Sequence, residues 1–77
     1  MSYTKENPYQ RERGILGHTI KKLREGHKMT QEELASKAHI DVSYLAKIEN
    51  GNVNTTVRYL IKIAKGLKTK VKELFEF

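Results

Sequence analysis

The chain is predicted to be all-α, and three observations carry that expectation. Val57, Leu60, Ile61, Ala64 and Leu67 fall at i, i+3, i+4, i+7 and i+10, which is one face of a 3.6-residue period. The stretch from Met29 to Gly51, MTQEELASKAHIDVSYLAKIENG, carries two helix-start signals and a helix-stop signal. Helical spacing recurs at both ends, with Leu16, Ile20 and Leu23 on one face and Val71, Leu74 and Phe75 on another. Five short helices in 77 residues make one small bundle. At that size a domain buries only about 60% of its unfolded surface.

Residues 1–13, MSYTKENPYQRER, have no apolar period and contain Pro8. They are expected to form a flexible, solvated arm. From it Arg11 and Arg13 can reach phosphates, and Tyr3 or Tyr9 a groove. Residues 14–77 form the folded domain. Its first helix is expected from residue 14 or 15 to Glu25, with Gly26 just past its end.

The second helix opens on Thr30 as N-cap, with Glu33 three residues later to complete a capping box. Leu34, Ala35 and Ala38 give it a small apolar stripe. His39 and Ile40 interrupt the pattern, and Asp41 offers a second N-cap ahead of a third helix over 42–49. Asn50 and Gly51 are residue types that tolerate the left-handed conformation closing a helix. Two helices joined by so short a turn make a helix-turn-helix unit, whose second helix can lie in a DNA major groove.

At 100° per residue, Leu45 and Ile48 lie about 60° apart and face the core, while Ser43, Ala46 and Lys47 project outward. Val42 and Tyr44 flank them. A helix pressed into a groove needs such an apolar back and a short polar and cationic front. An ordinary amphipathic helix with a solvated face has the same pattern.

Thr55 or Thr56 can cap the fourth helix, the one with the strongest period. Gly66 weakens its last turn by roughly 1 kcal/mol relative to alanine. Lys62, Lys65, Lys68, Lys70 and Lys72 are spread around and beyond it as solvated charge. The fifth helix, from residue 70 or 71 to 76, is too short to stand alone and must dock. Leu74, Phe75 and Phe77 either close the core or meet a second subunit.

The net charge of +6 favours a polyanionic partner. Residues 1–38 carry eight basic and five acidic groups, and residues 39–77 seven and four, so the charge is no detachable tail. There is no cysteine, hence no disulfide or thiolate metal site, which fits a reducing cytoplasm. His18, His27 and His39 match no zinc spacing. No phosphate loop and no nucleophile, base and acid set is present, so neither cofactor nor enzymatic activity is expected. No stretch approaches the roughly 20 apolar residues of a membrane span, and the chain is expected in the cytoplasm.

Thr30-Gln31-x-x-Leu34-Ala35, followed by Tyr44-Leu45-x-x-Ile48-Glu49-Asn50-Gly51, resembles the phage repressor and Cro-like helix-turn-helix family, also called the xenobiotic-response-element family. The resemblance runs from about Leu16 to Phe75. It implies a five-helix bundle of the lambda-repressor-like type and a homodimer on palindromic operator DNA. It also implies a transcriptional role, as repressor or activator. A restriction-modification controller or a stand-alone phage-type repressor fits so short a chain, with no small-molecule site.

Residue by residue, the resemblance assigns base contacts to Val42, Ser43 and Lys47, and a phosphate contact to Gln31. Tyr44, Asn52, Asn54 and Thr56 are placed to contact the DNA backbone. Arg24 matches an arginine that pairs with the glutamate closing the recognition helix, here Glu49. Controller proteins of the family dimerise through the last helix, which assigns Leu74, Phe75 and Phe77 to an interface. Three positions depart from the pattern: many relatives have glycine at His39, a polar residue at Val42 and proline at Thr55. The alternative reading is a protein-interaction module, such as the antitoxin of a toxin-antitoxin pair.

Overall fold

A computed structural model describes residues 9–75. The expectations for Tyr3, Pro8 and Phe77 lie outside these residues. Among the described residues the chain is all-helical, with α1 Gln10–Gly26, α2 Gln31–Ala38, α3 Val42–Glu49 and α4 Val57–Leu67. The expected fifth α-helix is instead a 3₁₀ helix, Val71–Phe75.

Local chemistry accounts for most helix ends. Thr30 Oγ1 accepts from the Glu33 backbone N–H at 3.0 Å, and Glu33 Oε1 accepts from the Thr30 N–H at 2.8 Å. That is the full capping box. Thr56 caps α4 by accepting from the Tyr59 N–H at 3.2 Å. Three helices close through a non-glycine residue in the left-handed region, Lys28 at φ 58, His39 at φ 59 and Lys68 at φ 57. In each, the following N–H reaches back to close the turn, Met29 to Arg24, Ile40 to Ala35 and Thr69 to Ala64. Gly26 is thus the last residue of α1, and Lys28 takes the left-handed position expected just after Glu25.

The start of α1 also differs from expectation. Gln10–Arg13 are helical rather than part of an arm. Tyr9 precedes them with no side-chain cap hydrogen bond, and the turn meets the rest of the fold through Arg13, which donates to the Gly51 carbonyl.

Ile20, Leu34, Leu45, Ile63, Leu67 and Leu74 are the large, fully enclosed side chains of one core. α1 packs on α3, α2 on both α3 and α4, and the 3₁₀ helix on α1 and α4. On α4 the buried residues are Leu60, Ile63, Ala64, Gly66 and Leu67. Val57 and Ile61, expected to face the core, are 67% and 39% exposed, so the buried face is rotated towards Ile63.

Two glycines let backbones meet. A Cβ on Gly17 would lie 2.2 Å from the Ile48 carbonyl oxygen, and one on Gly66 3.0 Å from a Leu34 methyl and 3.3 Å from the Ala38 nitrogen. Gly66 is therefore the price of the close α2–α4 contact, not merely a weak turn.

Candidate nucleic-acid interface

The outer face of α3 begins at Asp41, which has the extended backbone of an N-cap but makes no side-chain cap bond. Its carboxylate instead accepts a hydrogen bond from the Ser43 hydroxyl. Ser43's only proton is thereby committed, and its lone pairs remain as acceptors. Ser43 and Lys47 are exposed, and Ala46 is half-buried between them in sequence. Leu45 and Ile48, on the opposite side, are enclosed. Val42 is half-buried and packs against the core, which leaves only part of its surface outward.

Behind this helix stands a buried polar cluster. Arg24 Nε donates to Glu49 Oε2 at 2.7 Å and Nη2 to Glu49 Oε1 at 3.1 Å, while Nη1 donates to the Met29 carbonyl at 2.7 Å. The fork joins α1, the turn before α2, and the C-terminal end of α3. Bidentate, charge-assisted contacts of this kind fix geometry as well as energy. The hydrogen bond to Glu49 raises the Arg24 pKa above its ordinary value, against the lowering effect of burial. A raised pKa means the contribution to stability is complete below the ordinary arginine value and is lost only as pH rises past the folded one. The charge is therefore constant in any buffer used for DNA binding.

Gln31, at the first position of α2, donates from Nε2 to Glu49 Oε1 at 2.9 Å. One amide proton is thus used inside the protein. The second remains for an external acceptor such as a phosphate.

Tyr44 lies half-buried on the flank of α3, its ring centroid 4.6 Å from that of Tyr59 with the planes tilted by 42°. The Lys62 ammonium sits 5.5 Å from the Tyr59 ring centre, a cation–π distance. Tyr59 is not singled out by sequence, because an aromatic contact between two helices has no local signal; Lys62, expected as solvated charge, lies one turn away from it on the same helix. The loop into α4 presents Asn52, Asn54 and Thr56 at exposed positions. Asn54 Oδ1 accepts from Arg13 Nη1 at 3.2 Å, so Arg13 is docked on this loop rather than carried on an arm.

Leu74, expected at a subunit interface, is fully enclosed in the protomer's own core, whereas Phe75 is 48% exposed. The 3₁₀ geometry explains the split. At three residues per turn Val71 and Leu74 line up, and Phe75 turns about 120° away from them.

No group of three or more histidine, aspartate or glutamate side chains suited to a metal occurs among the described residues. No helix among them is long and apolar enough to cross a membrane.

Two short helices at a left-handed turn, the second exposed in front and braced from behind, define a helix-turn-helix protein. The chain belongs to the helix-turn-helix family, whose model matches residues 20–74. It is 40% identical over 60 residues to the control protein C.MunI of a Mycoplasma species, covering 77% of this chain and 81% of that protein. It is 37% identical over 59 residues to the immunity repressor of Bacillus phage phi105, covering 77% of this chain but 41% of the repressor. Among solved structures, the restriction-modification controller C.AhdI from Aeromonas hydrophila matches with a TM-score of 0.83 at 29% identity, over 84% of this chain and 98% of that one. The wild-type controller C.Esp1396I matches with a TM-score of 0.77 at 35% identity, over 92% and 88% of the two chains.

Proposed function

We propose that the chain is a sequence-specific DNA-binding transcriptional regulator that acts as a homodimer on palindromic operator DNA. The observation that carries this reading is the front of α3, where exposed Ser43 and Lys47 project opposite enclosed Leu45 and Ile48. Gln31, Tyr44, Asn52, Asn54 and Thr56 surround that face as backbone contacts, which position a protein without reading sequence. Similarity to controller and repressor proteins supports a regulatory role without enzymatic activity. Random-site selection with the purified protein tests the reading. An enriched inverted repeat supports it, and a selection with no enrichment shifts the function to a protein-interaction module.

Lys47 is the side chain best suited to guanine, because its ammonium can donate to both O6 and N7 in the major groove. Lys47→Ala is expected to cost about 1–3 kcal/mol on the preferred site and to relax the choice at one position per half-site. A panel of single-base operator variants checks this. A uniform loss across the panel would mean that Lys47 only tethers a phosphate.

In the dimer, two recognition helices stand about 34 Å apart to meet half-sites one helical turn apart. Phe75 contributes exposed apolar surface at the end of the 3₁₀ helix. Phe75→Ser should remove about 1.5 kcal/mol from each symmetric copy, raising the dimer dissociation constant roughly a hundredfold. Sedimentation equilibrium measures the shift. A wild-type chain that stays monomeric at high micromolar concentration, yet binds its operator fully, would rule out the dimer.

A further inference from the structure

The first turn of α1 lies on the loop that leads from α3 to α4. Arg13 Nε donates to the Gly51 carbonyl and Nη1 to Asn54 Oδ1, both at 3.2 Å, across 38 and 41 residues of chain. Gly51 is in the left-handed region at φ 73, and a Cβ there would lie 2.9 Å from Gly14 Cα. The loop and the start of α1 are therefore in direct backbone contact. A guanidinium carries donors only, so the Asn54 atom facing it must be the amide oxygen. The other end of the same planar amide, Nδ2 with its two hydrogens, then points away from Arg13 at an exposed position.

We propose that Arg13 is a positioning residue for DNA-backbone recognition, holding the Asn54 amide so that Nδ2 is presented to a phosphate oxygen. The inference rests on the DNA-binding reading above. Without the guanidinium the amide can flip, and its oxygen, which repels a phosphate, competes for the outward direction. Arg13 thus acts through Asn54, with two of its donors turned towards the loop. It leaves sequence preference untouched, because a phosphate carries no base information.

The test is a double-mutant cycle on the full chain. Wild type, Arg13→Ala, Asn54→Ala and the double variant are titrated by fluorescence anisotropy against a random-sequence duplex and against the site selected by the wild type. A salt series accompanies each titration, and thermal melts by circular dichroism establish that each variant is folded. Asn54→Ala is expected to weaken binding about tenfold on both duplexes, the scale of one hydrogen bond to a charged group, and Arg13→Ala roughly threefold, because the freed amide still presents Nδ2 part of the time. The slope of affinity against salt for Arg13→Ala should fall by well under one, since the contact to the phosphate is made by a neutral amide and the guanidinium stands behind it. The double variant should bind no more weakly than the weaker single one. Asn54→Asp keeps an oxygen for Arg13 but has no donor for the phosphate, so it should lose at least as much as Asn54→Ala.

Three results would overturn the proposal while leaving DNA binding intact. Arg13→Ala could bind as the wild type does, the two single losses could simply multiply, or the salt slope could fall by about one. The last would place the guanidinium itself on a phosphate. A wild-type chain that binds neither duplex would remove both the DNA-binding reading and this inference.

Discussion

Arg24→Ala is expected to destabilise the folded chain by about 3–5 kcal/mol, the usual cost of removing one partner of a buried ion pair. The Glu49 side chain is only 1% exposed. Without the guanidinium its carboxylate would retain the Gln31 amide, 2.9 Å from Oε1, against the loss of two charge-assisted bonds from Arg24. The Met29 carbonyl would lose its donor as well. For a small domain whose total stability lies in the range of about 5–15 kcal/mol, that is a large fraction. Urea unfolding followed by circular dichroism measures it. Replacing both partners, Arg24→Met with Glu49→Leu, should recover most of the loss, because no charge is then stranded. A single variant as stable as the wild type would mean that Glu49 is solvated once Arg24 is gone. The ion pair would then contribute geometry alone.

Gly17→Ala is expected to cost about 3 kcal/mol, the upper end of what overpacking a core exacts. The added Cβ would meet the Ile48 carbonyl oxygen at 2.2 Å, the Glu49 carbonyl oxygen at 2.6 Å and the Glu49 carbonyl carbon at 2.8 Å. All three are backbone atoms, so no rotamer can relieve the contact. α1 must move off the end of α3, and that displacement also disturbs the Arg24–Glu49 fork. Gly14→Ala is the matched control on the same helix, because a Cβ there meets nothing within 4 Å. It should stabilise by roughly 0.5–1 kcal/mol through the lower helix propensity of glycine. The two variants together separate packing from propensity: equal and favourable shifts in both would show that α1 and α3 do not approach as closely as described.

The features legible in the sequence are those set within a few residues. Thr30 and Glu33 form their capping box because each reaches the other's backbone across a single turn. His39 takes the left-handed position that the break between two apolar stripes required. Leu45 and Ile48 point inward and Ser43 and Lys47 outward because an eight-residue helix allows no other division of that pattern.

Where expectation and structure part, the deciding contact is distant in sequence. QRER has no apolar period, and its inclusion in α1 accompanies the contact of Arg13 with Gly51 and Asn54. The apolar arc of α4 is wider than the surface its neighbours cover. Whether Ile61 or Ile63 is buried depends on where α2 and the 3₁₀ helix sit. Phe75 separates from Leu74 because the final element winds at three residues per turn rather than 3.6.

By itself, then, the sequence determined the helical class, the caps around the turn, and the apolar back and polar front of α3. Capping and periodicity act between residues up to four apart, and a helix carries them wherever it is placed. The tertiary structure alone decided which apolar face of α4 is buried and where α1 begins. It also decided that Gln31 donates to Glu49 and that the Tyr44 ring packs at a tilt against Tyr59. Most of these contacts join separate elements, and their distances depend on how close the helices come. Gly17 and Gly66 show what sets that closeness: each omits a side chain where another helix's backbone or core residue must lie.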